Sequence, residues 1–70
     1  KIVLVNSGSR AELLGVGVGA VVSCYDGVGR LLWCEEAAGD VMEFEAPRGF
    51  YVLRIVAGEK VEVVKGIGNK

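Results

Sequence analysis

The chain contains no histidine. That removes the commonest general base, the commonest metal ligand and the usual near-neutral pH switch. Cysteine occurs twice, at Cys24 and Cys34. Without histidine, two thiols build neither a four-ligand zinc site nor a Cys-His or Ser-His-Asp nucleophile. No apolar run exceeds four residues, as in Ile2-Val3-Leu4-Val5, so no stretch suffices for a membrane-spanning helix. No window repeats apolar residues at i, i+3, i+4 and i+7 for long enough to specify a helix. Glu35-Glu36-Ala37-Ala38 favours one turn, but Gly39-Asp40 ends it. A charge excess is also missing. Eight Lys and Arg stand against nine Asp and Glu, net −1, which leaves no footprint for nucleic acid or an anionic membrane. The opening residues lack the form of a signal peptide, and we expect the chain to be a piece of a larger or processed protein.

What remains is a short, apolar, glycine-punctuated chain. Seventy residues allow one domain, and 51% apolar against 24% charged residues specify a packed one. Between eleven glycines lie short runs rich in Val, Ile, Leu, Phe and Tyr, the residues that suit a half-buried pleated surface. Strands are expected at 2–5, 10–14, 20–26, 30–34, 41–46, 50–56 and 60–65. Gly27-Val28-Gly29 and Ala57-Gly58-Glu59 provide hairpin turns, and Pro47, which cannot donate to a ladder, provides a break. Period-2 alternation puts Tyr51, Leu53 and Ile55 on one face and Val52 and Arg54 on the other. It sets Met42 and Phe44 against Glu43 and Glu45, and Val61 and Val63 against Lys60 and Glu62. Short strands with frequent turns indicate an all-β fold, a small antiparallel β-sandwich of about seven strands.

Several clusters invite a chemical reading, and each has a structural one. Gly15-Val16-Gly17-Val18-Gly19 has the glycines of a phosphate cradle, yet a strand follows where a helix N-terminus is needed, so a turn is expected. Glu35, Glu36, Asp40, Glu43 and Glu45 lack calcium-loop spacing and read as a solvated strand face. Trp33 and Tyr25 could stack a ligand, but inter-sheet packing is the ordinary role of such residues. Asp26 and Arg30 flank a turn and are expected to cap and pair across it. If they are opposed, Cys24 faces Leu32 and Cys34 faces Val22. The cysteines are then diagonal, about 7–8 Å apart and beyond comfortable bridging, unless a bulge intervenes. No catalytic constellation and no cofactor or metal set emerges, so no enzymatic activity is expected.

Three segments in order resemble a known family. Val22-x-Cys24-Tyr25-Asp26-Gly27-Val28-Gly29-Arg30-Leu31-Leu32 is similar to the hairpin signature of type IX secretion C-terminal sorting domains, with Cys24 where valine is preferred. Ala46-Pro47-Arg48-Gly49-Phe50-Tyr51-Val52-Leu53-Arg54-Ile55 resembles their Pro-x-Gly-x-Tyr strand. Lys60-Val61-Glu62-Val63-Val64-Lys65 is similar to their closing strand. The resemblance implies an Ig-like β-sandwich over residues 1–65. Residues 66–70 run on past the family's usual stop, a departure from its pattern, and are expected to be a flexible tail. It implies a Bacteroidetes cargo signal, in the periplasm in transit and then at the cell surface or secreted. The implied partners are the outer-membrane type IX translocon and a sortase-like signal peptidase. By position, Asp26, Gly29 and Arg30 match the hairpin signature. Gly49, Tyr51, Lys60, Val61, Val63 and Lys65 fall where the translocon would read the domain, and deletion from Val61 onward is expected to leave cargo in the periplasm. An open last strand invites β-augmentation and would also allow a homodimer through an edge. The alternative is a structural or binding module of a larger extracellular protein.

Overall fold

A computed structural model describes residues 1–68. It contains seven strands and, among the described residues, no helix: β1 (Val3–Ser7), β2 (Arg10–Leu14), β3 (Val21–Asp26), β4 (Leu31–Glu36), β5 (Val41–Glu45), β6 (Gly49–Ala57) and β7 (Lys60–Gly68). They form two antiparallel sheets, ordered β1-β2-β5 and β4-β3-β6-β7, in an Ig-like β-sandwich. All seven expected strands are present; β2 matches at both ends, and no other end is displaced by more than three residues.

Alternation decides what each strand buries. Leu13 of β2, Met42 and Phe44 of β5, Val22 and Cys24 of β3, and Tyr51, Leu53 and Ile55 of β6 all point between the sheets. At about 25 cal/mol per Å² of apolar surface, this shared interior is the main stabilising term. An aromatic chain crosses it. Trp33 and Phe44 lie 5.4 Å apart between ring centroids, and Phe44 meets Tyr51 edge-on at 6.0 Å.

The β3–β4 register differs from the expected one. Cys24 lies opposite Trp33 and Ser23 opposite Cys34, with a bulge between Cys24 and Tyr25 that leaves Leu32 unpaired. A bulge adds one residue to one strand and so reverses which side chains point inward beyond it. Trp33 thereby gains the interior and Cys34 is turned out. Both cysteines are free, Cys24 buried and Cys34 exposed. Burial, assisted by the charge of Asp26, pushes the Cys24 thiol up to about 11. It packs as a small apolar residue, and Cys34 is the thiol within reach of reagents.

The tail expected from residue 66 is also corrected. β7 continues through Gly68, with Gly66 opposite Tyr51 and Gly68 opposite Gly49. These glycines point inward, where close packing excludes a side chain. A Cβ on Gly66 would sit 2.6 Å from Tyr51 Cζ and 2.8 Å from Leu4 Cδ2, and one on Gly68 would collide with the Pro47 carbonyl oxygen. Their role is close approach of strands. Asn69 and Lys70, the rest of that tail, lie outside the described residues.

Candidate functional site

The β3–β4 hairpin is organised around one carboxylate. Asp26 Oδ1 accepts from the backbone N–H of Val28 at 3.1 Å and of Arg30 at 2.9 Å. Its Oδ2 accepts from Arg30 Nε at 3.0 Å. The main chain closes the same turn, Gly29 N–H donating to the Asp26 carbonyl and Asp26 N–H to the Arg30 carbonyl, each at 3.0 Å. Gly29 has φ +92°, a conformation that an L side chain rarely adopts. Asp26, Gly29 and Arg30 therefore come together as a turn-building unit, the role expected from their flanking positions.

The hydrogen bonds to Asp26, led by the Arg30 N–H, hold its carboxyl below the usual range. A carboxyl lowered on folding adds stability above its unfolded value, near 3.9, and loses it as pH falls through the folded value. Asp26→Asn is thus expected to be less stable than the parent above about pH 5, with the gap closing toward pH 2. Parallel denaturant titrations at the two pH values check this. A gap that persists in acid would contradict it.

The glycine-rich loop is structural as well. The Gly15 and Val16 N–H groups donate to the Asp40 carbonyl at 2.9 and 3.1 Å, and Gly19 N–H to the Ala37 carbonyl at 2.9 Å. Amides already engaged with the β4–β5 connection are not free to cradle a phosphate. The acidic stretch is divided between the sheets, Glu35 and Glu36 on β4, Glu43 and Glu45 on β5. Trp33 packs on Phe44 at the β4–β5 seam, beneath a shallow groove of about 580 Å³ that includes Leu32, Pro47 and Arg48. Among the described residues, no group of three or more Cys, Asp or Glu stands close enough to hold a metal ion.

The residues assigned to translocon reading separate into two sets. Tyr51 is fully buried, 0% exposed, and its hydroxyl donates to Asn6 Oδ1 at 2.9 Å. Burial keeps its phenol above the ordinary value, with the Asn6 bond opposing. It is a clamp between β6 and β1, with no surface for a partner. Gly49 begins β6 with φ +78°, where the chain crosses from one sheet to the other after Pro47. Lys60, Val61, Val63 and Lys65 are exposed on β7. Val61, Val63 and Lys65 alternate outward, and Val64 turns inward against the core. β7 is an edge of the four-stranded sheet, hydrogen-bonded to β6 alone.

The surface around β7 extends further than sequence reading placed it. Pairing aligns Val61 with Val56 and Val21, then Val63 with Arg54 and Ser23, then Lys65 with Val52 and Tyr25. Ile67, 69% exposed, continues the row on β7. An outward sheet face is ordinarily polar, whereas this one is largely apolar. Its signal in the sequence is the uninterrupted alternation Val61-x-Val63-x-Lys65-x-Ile67. The second missing piece, Asn6, had no such signal, since its partner is 45 positions away. Compared with known protein-family models and with curated proteins, the chain matches none.

Proposed function

We propose that the domain is a C-terminal sorting signal, carrying a cargo protein through a type IX outer-membrane translocon to the bacterial surface. The observation that carries this reading is the division of labour within the resembling motifs. Tyr51, Gly29 and Asp26 build the fold, while Val61, Val63 and Lys65 stand outward on an edge strand. A signal read by a protein machine needs such an exposed, partly apolar strand on a stable support, and an open edge can accept a partner strand by β-augmentation. Asp26 and Arg30 hold the β3–β4 hairpin and take no part in recognition. The domain performs no reaction, and the sortase-like peptidase acts on its connection to cargo.

The test is a fusion of residues 1–70 to a periplasmic reporter. In a type IX-competent bacterium the reporter is expected outside the outer membrane, and in the same strain lacking the translocon it is expected in the periplasm. Retention in both strains, with the fused domain folded, would overturn the proposal.

A further inference from the structure

We infer that the two outer faces of the sandwich are complementary halves of a weak self-stacking interface, the three-stranded face of one copy docking on the four-stranded face of the next. On the three-stranded sheet the outward residues run from an apolar row, Val3, Leu14 and Val41, to rows that carry Glu12, Glu43 and Glu45 against one guanidinium, Arg10. On the other sheet an apolar row, Val21, Val56 and Val61, gives way to Arg54 and then Lys65, with Glu36 alone at the corner. One face thus carries an excess of carboxylates and the other an excess of cations, although the whole chain is nearly neutral.

The two patterns also run in the same direction. Ile2 and Gly15 share a cavity with Ile55, Ala57 and Lys60, so both apolar rows lie at one end of the sandwich. Successive outward rows are spaced by two residues, about 6.7 Å, on any sheet. A copy displaced along the thin axis, without being turned end over end, therefore meets apolar row with apolar row and carboxylates with Arg54 and Lys65. The like-on-like alternatives are disfavoured, because two four-stranded faces would oppose Arg54 and Lys65 to their own copies.

Charge complementarity chooses the occupant, and area limits the strength. Three strands of five residues present roughly 14 × 17 Å, about 240 Å². A stable interface buries about 800 Å² per partner. The chain is therefore a monomer when dilute and associates only near millimolar concentration or when crowded on a surface. A head-to-tail contact of this kind does not close, so the products form an open series rather than a discrete dimer.

Sedimentation velocity of the full chain at low salt, from about 0.02 to 2 mM, tests this. The weight-average sedimentation coefficient of the parent is expected to rise across the range. Arg54→Glu and the pair Glu12→Lys with Glu43→Lys each make the two faces alike in charge, and each is expected to abolish the rise. An equimolar mixture of the two variants is expected to restore it. Lys65→Glu replaces Arg54→Glu if the latter does not keep the parent's circular dichroism. The inference fails if the parent shows no rise, if either reversal leaves the rise intact as edge-strand pairing would, or if the mixture does not recover.

Discussion

Tyr51→Ala is expected to leave the domain largely unfolded at 37 °C. Removing a fully buried aromatic ring costs about 3–5 kcal/mol. A single core in a chain this short supplies no more than about 3–5 kcal/mol of net stability, so the loss removes most or all of it. Tyr51 has more than ordinary core contacts, since its ring meets Phe44 of β5 edge-on and its hydroxyl reaches Asn6 of β1. Its loss loosens the joins of β6 to β5 and to β1. Tyr51→Phe keeps the ring and removes only the hydrogen bond, and because Asn6 is solvent-exposed the cost is about 1 kcal/mol. Gly66→Ala approaches the same ring from β7. Its Cβ would stand 2.6–2.8 Å from Tyr51 and Leu4 atoms, and such overpacking costs about 1–3 kcal/mol. Urea denaturation of the three variants checks the order. A Gly66→Ala protein as stable as the parent would mean that residues 66–68 are a loose tail after all.

The second large effect concerns export. Val61→Asp with Val63→Asp is expected to abolish surface delivery of a fused reporter while leaving the domain folded. Val63 is 56% exposed and Val61 points the same way, so neither change buries a charge. If the outward face of β7 is what the translocon reads, two carboxylates there remove apolar contact and add a desolvation cost. The matched control is Val3→Asp with Val5→Asp on the opposite outer face, which is expected to export normally. Protease accessibility of the reporter on intact cells, with the melting temperature of each purified domain, gives both readouts. These variants separate recognition from folding, whereas deletion from Val61 onward does not. It removes nearly all of β7 and leaves β6 without a partner on that side.

Much of the architecture was legible in the sequence because the governing signals are local. Met42 and Phe44 alternate with Glu43 and Glu45, and the structure buries the first pair and exposes the second. Asp26, Gly29 and Arg30 announce a turn because all their bonds fall within five residues. What was not legible depends on distant chain. The bulge between Cys24 and Tyr25 exchanges the places of Trp33 and Cys34, and it becomes visible only when Trp33 is seen against Phe44. Gly66 and Gly68 have the composition of a flexible end, and their function as spacers appears only once Tyr51 and Pro47 are in place. Tyr51 itself belonged to a motif assigned to recognition. Burial shows that it acts on the fold, and the residues open to a partner are those beside it on β7.

Under the proposed function, export machinery reads this domain through the outward face of its last strand. The most direct measurement places a photo-crosslinking amino acid at position 63, and separately at position 43 on the opposite face, in a reporter fusion within cells that carry the translocon. Adducts with an outer-membrane translocon component are expected from position 63 and none from position 43. Adducts from position 43 alone, or none from either while the reporter still reaches the surface, would contradict it.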